Sequence, residues 1–165
     1  MADEPVRFRT DCSRCNALCC VVFAHTPWNG FPDTKPANDR CRNLTPKNRC
    51  GVFTNLEDEG YTICRAYDCR GAGPLVSEWM TTPDEPGRLE QFRELARLHM
   101  LHGKLLDAGS HTALSLAAAL DRVSQVYAKT GELDIPDDVR EGLRRNEDLI
   151  MQILATLSQP KDTAP

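Results

Sequence analysis

All eight cysteines of this 165-residue chain fall between Cys12 and Cys69, and that crowding constrains the fold more than any other feature. The densest stretch, DCSRCNALCC at residues 11–20, holds Cys12, Cys15, Cys19 and Cys20; Cys41, Cys50, Cys64 and Cys69 follow at wider spacing. Thiols this close together imply a disulfide framework, a metal or iron–sulfur site, or a set of buried structural thiols. An even count permits disulfides, but these persist mainly in oxidising compartments. The opening MADEPVRFRT is charged at once and lacks the apolar core of an export signal. The expectation is therefore a cytoplasmic chain with reduced thiols. Buried structural thiols do not account for such density. Metal ligation is the remaining reading, with all eight cysteines as candidate ligands.

The spacing adds detail. Cys12-x2-Cys15 can bring two sulfurs to one centre through a tight turn whose amides donate to them. Cys19 lies one helical turn beyond Cys15 and can extend that site if residues 15–20 begin a helix. Cys20 then points away by about 100°. It either bends the backbone to reach the same cluster or serves a second centre. Zinc ribbons set two C-x2-C turns opposite each other, and only one such turn exists here. Closely spaced cysteines completed by a remote one are frequent in iron–sulfur proteins. Thiolate ligation suits both metals, so the expected cofactor is an iron–sulfur cluster or zinc.

Residues 1–78 read as a loop-rich cysteine module. Pro27, Asn29-Gly30, Pro32, Pro36 and Pro46 interrupt any long element. The apolar runs VVF (21–23) and CGVF (50–53) suit small strands or turns, too little for a conventional core. A metal crosslink is the expected substitute. Trp28 and Phe31, in the proline-rich loop, are expected to cover the site. Arg65 and Arg70 flank Cys64 and Cys69, where cations favour thiolates.

Residues 82–158 read as helical, and 159–165 as a disordered tail. Thr82 and Glu85 have capping-box spacing, with Pro83 in the first turn. Leu89, Phe92, Ala96, His99 and Leu106 share one face, flanked by Leu95, Leu98 and Leu105. A second helix, capped by Ser110 and stopped by Gly131, lines up Ala113, Leu116, Leu120, Val123 and Tyr127. A third starts near Pro136, with Val139, Leu143, Ile150, Ile153, Leu154 and Leu157 as its stripe, broken at Asn146 and Glu147. The fold class is thus mainly α, a cysteine module followed by a three-helix antiparallel bundle.

Several functions have no support. Net charge is −4, and no basic stripe with interleaved aromatics marks a nucleic-acid surface. No run approaches the roughly 18 apolar residues of a membrane span. There is no phosphate-cradling glycine loop or nucleophile elbow. Asp84-Glu85 and Asp137-Asp138 fall at helix starts, where the macrodipole explains them. His25, His99 and His102 are secondary ligand candidates, with a structural role the commoner one for such residues.

The C-x2-C-x3-C-C opening, the Cys41-x8-Cys50 pair and the later CRAYDC resemble the YkgJ-type cysteine-cluster family, a domain associated with zinc or iron chelation. RCGVFTNLEDEGYTICRAYDCRGAG is also similar to a branch found ahead of pentapeptide-repeat arrays. The likeness covers about residues 11–75. This chain has no such array, and YTIC stands where the branch has arginine-proline before cysteine. The resemblance implies a metal-binding module that holds structure, handles metal or transfers electrons. Its alternatives are a metalloenzyme or enzyme subunit with an open iron position, and a structural zinc module presenting its helices to a protein partner.

Overall fold

The computed structural model describes residues 5–82 and 85–156. It is mainly helical, with α1 (Cys19–Val22), α2 (Thr62–Ala66), α3 (Ala72–Ser77), α4 (Pro86–Ala108), α5 (His111–Thr130), α6 (Asp137–Arg145) and α7 (Glu147–Thr156). Among the described residues, four 3-10 turns lie between Val6 and Asn55. No strand forms among the described residues; two isolated antiparallel bridges, His25–Lys35 and Leu44–Cys50, take that place. VVF therefore closes α1, and CGVF begins at a bridge and runs into a 3-10 turn. The chain divides into two compact units, one ending at Arg97 and the other beginning at Leu98.

The first unit buries more apolar material than its sequence periodicity suggests. Phe8, Leu18, Val21, Val22, Val76, Phe92 and Leu95 are all but inaccessible to solvent. These residues come from scattered turns and short helices, so no periodic stripe announces them. A second cluster, Phe31, Leu56 and Tyr61, has Cys41, Cys50 and Cys64 packed against it. The expectation that little core exists here is thus corrected.

Polar side chains tie the loops of this unit together. Buried Lys35 donates from Nζ to the carbonyls of Val21 (2.9 Å), Phe23 (2.7 Å) and Pro36 (3.1 Å), gathering the backbone at and just beyond the end of α1. Arg49 donates to the carbonyls of Cys15 (3.0 Å) and Ser13 (2.5 Å). Each bond satisfies a carbonyl in a loop or in the last turn of α1 that no regular element serves.

Helix α4 starts at Pro86, later than the capping box implies. The Glu85 carbonyl accepts from the amides of Arg88 and Leu89, and its carboxylate takes the amide and hydroxyl of Thr81. The first-turn proline is therefore Pro86; Pro83 and Asp84 lie outside the described residues. Leu89, Phe92, Leu95 and Ala96 are buried as their spacing requires.

In the second unit Leu105 is buried, while Leu106 is 45% exposed, reversing the expected order of these two. Ser110 caps α5 by accepting from the Ala113 amide. Gly131 ends it at φ 67°, a left-handed conformation that suits glycine. The five expected residues of the α5 stripe are all buried. The expected third helix is two: Asn146 leaves helical geometry (φ −112°, ψ 22°), and its side chain donates to the Gly142 carbonyl. The Asn146 carbonyl then accepts from Ile150 near the start of α7. Val139 and Ile153 are buried on either side of this break. Leu157 and the 159–165 tail lie outside the described residues.

Candidate metal centre

Every cysteine lines one cavity of about 550 Å³ inside the first unit. Phe23, Phe31, Tyr61, Tyr67 and Phe92 supply apolar wall, and Lys35 and His25 also reach it. All eight are free thiols. Among the described residues no three His, Cys, Asp or Glu side chains converge closely enough to hold a metal ion. The thiols line a common space without forming a closed coordination shell.

Local structure explains how each thiol arrives there. A 3-10 turn capped by Asp11 carries Cys12, and the Cys15 amide closes it on the Cys12 carbonyl (3.4 Å). The backbone then reverses through Ala17 at φ 56°. This turn aims the Leu18 and Ala17 amides at the Cys15 sulfur, joined by the Ser77 hydroxyl. The Val52 amide meets Cys50 in the same way. Amide donors favour a thiolate over a thiol, so both turns suit metal ligation. Cys19 and Cys20 open α1 with their sulfurs 4.0 Å apart. Cys64 sits in α2, and Cys69 precedes α3 with its sulfur 3.6 Å from Thr10 Oγ1.

Gly73 forms part of this wall. A Cβ added to it would stand 2.8 Å from Cys15 Sγ and 3.4 Å from Cys69 Sγ. The absent side chain leaves room for two sulfurs on one face of α3. Gly71 has a different function: at φ 82° its Cβ would lie 2.1 Å from the Arg7 carbonyl oxygen, so the segment after Cys69 is pressed against the amino-terminal turn.

The electrostatics suit a site that exchanges protons for metal. Burial, then neighbouring thiols, pushes up the pKa of Cys12. Burial likewise raises Cys15 and Cys50, and it lifts Cys64 to about 11. Cys19 is held well above its ordinary value, first by its hydrogen bond with Cys20 and then by burial. Cys20 is lowered, chiefly by that same hydrogen bond and then by Lys35 and Arg40. Burial pushes the Lys35 pKa down, while Cys41 and Asp39 oppose this.

Some expected participants stand elsewhere. Trp28 is 98% exposed and covers nothing, whereas Phe31 is buried, stacks on His25 at 4.8 Å and lines the cavity. The difference follows from the capping box of Thr26 and Asn29, which fixes a turn with Trp28 outermost. Arg65 pairs with Glu57 (3.5 Å), both well exposed. His99 and His102 belong to the second unit, where buried His99 Nε2 pairs with Ser124 Oγ at 2.8 Å. Sequence reasoning missed Lys35, Arg49, Gly73 and Thr10. No spacing rule finds them, because each acts on residues distant in the sequence.

No family model matches this chain, and no solved structure matches it. Similarity does appear among curated proteins. The uncharacterized protein YybG of Bacillus subtilis is 31% identical over 117 residues, covering 66% of this chain and 40% of that one. The UPF0153 protein YeiW of Escherichia coli is 42% identical over 41 residues, 25% of this chain and 49% of that one. This chain thus spans about half the length, or less, of the curated relatives it matches. Over that part the likeness supports the cysteine-cluster resemblance drawn from the motifs. No described helix is long and apolar enough to cross a membrane.

Proposed function

We propose that the first unit is a thiolate metal centre, holding an iron–sulfur cluster or zinc, and that the chain acts as a structural, metal-handling or electron-transfer module. The observation that carries this reading is the convergence of all eight free thiols on one cavity. They come from turns and helices spread over residues 12–69, and burying thiols for packing alone does not require them to share a wall. The donor set fits either metal, since both accept sulfur-only ligation. The raised thiol pKa values mean that metal must displace protons, so affinity climbs with pH. Such ligation belongs in a reducing compartment such as the cytoplasm. The helices of the second unit offer a surface for a protein partner.

Purification without air followed by elemental analysis tests this. An iron–sulfur centre gives a brown protein absorbing near roughly 400 nm and bleached by dithionite. Zinc gives a colourless protein with stoichiometric metal. A colourless protein free of both metals refutes the proposal.

A further inference from the structure

Cys19 and Cys20 are consecutive on α1, so they face directions about 100° apart. Each has its own company. On one side, Cys15 and Cys69 crowd the same face of Gly73, 2.8 Å and 3.4 Å from its missing Cβ. Cys12 joins them across the turn that the Cys15 amide closes. On the other side, Cys41, Cys50 and Cys64 pack against Phe31, Leu56 and Tyr61. The Cys41 amide donates to the Cys20 carbonyl at 2.8 Å, tying Cys20 to that group.

From this geometry we infer that the eight thiols serve two four-sulfur centres, Cys12, Cys15, Cys19 and Cys69 in one and Cys20, Cys41, Cys50 and Cys64 in the other. The inference rests on the metal-binding reading and specifies it further. The boundary runs between two adjacent residues, which explains the Cys19-Cys20 doublet: one short helix delivers a ligand to each centre. Four thiolates complete a tetrahedral zinc site or a cubane cluster, so neither centre keeps an open position. The pair is suited to holding metal or passing electrons.

Metal stoichiometry of the full chain tests the division. The parent, refilled with Zn²⁺ without air, is expected to bind two ions. Cys15→Ser/Cys69→Ser and Cys41→Ser/Cys64→Ser should each retain one. Because such variants can misfold, the parent is also half-loaded with Zn²⁺, alkylated with iodoacetamide and mapped by mass spectrometry. Protection should then fall on the cysteines as the two named quartets. A parent that binds zinc but protects the eight thiols as one block, or in other groupings, overturns the two-centre assignment and leaves the metal-binding reading standing. A parent that binds no Zn²⁺ and is metal-free as isolated overturns both.

Discussion

The two units solve the same problem by opposite means. The second buries a regular stripe: Ala113, Leu116, Leu120, Val123 and Tyr127 recur at helical spacing on α5, between a serine cap and a left-handed glycine. The first has α1, α2 and α3 of four to six residues and is held by single contacts that act over long sequence separations. Lys35 satisfies three carbonyls, Arg49 reaches the distant carbonyls of Cys15 and Ser13, and Gly71 lets two backbone segments touch. A stripe tolerates the loss of one member better than a set of single contacts does. The comparison teaches that a cysteine-rich unit can own an apolar core and still leave a thiol-lined space at its centre.

The largest expected effect tests the first unit alone. Gly71→Ala forces a Cβ onto the Arg7 carbonyl at a left-handed φ, at a cost of about 3 kcal/mol or more. Hydrogen exchange should show faster exchange in residues 5–82 with little change in α5. Equal protection in variant and parent would remove the single-contact account.

His99→Ala probes the other side of the comparison. It removes a buried ring and strands the Ser124 hydroxyl, costing about 2–3 kcal/mol. The loss should be read in α5 exchange, with the alkylation rates of the cysteines unchanged. Altered cysteine reactivity would show that the units do not separate in this way.

Lys35→Met leaves the Val21, Phe23 and Pro36 carbonyls without their donor. The expected loss is about 2 kcal/mol, tempered because burying the ammonium is itself costly. Urea unfolding of the first unit measures it. No change in midpoint would make the lysine incidental.

The smallest effect is a pH dependence of the metal-free protein. The Cys64 thiol is raised in the fold from 9.0 to about 11, so the folded chain holds this proton more tightly than the unfolded one. Its contribution to stability is therefore full below about pH 9 and is lost as pH rises towards 11. Chelated protein should melt progressively earlier over that window, and Cys64→Ser should flatten the slope. A melting temperature that rises across the window contradicts the sign.

Much of the second unit was legible because helical periodicity and caps are local signals. Ser110, Gly131 and the α5 stripe needed only neighbours a few residues away. The stripe showed its break at Asn146 and Glu147, but not that one helix ends there and another begins, which rests on the Asn146 side chain folding back on Gly142. In the first unit the cysteine pattern pointed to the cavity, yet nothing in the string placed Gly73 beneath Cys15 and Cys69. Lys35 sits in an unremarkable loop, and its burial depends on carbonyls 12 and 14 residues earlier. Such contacts become visible only once the chain has folded. Trp28 shows the reverse error, an aromatic expected to shield the site that a tight capped turn holds in solvent.

The most direct test of the thiol-lined cavity as a metal centre is native mass spectrometry of protein isolated without air, followed by alkylation with and without chelator. The account predicts bound metal and eight cysteines that become reactive only after chelation. A metal-free mass, with all eight thiols modified equally fast in both conditions while the first unit stays folded, would contradict it.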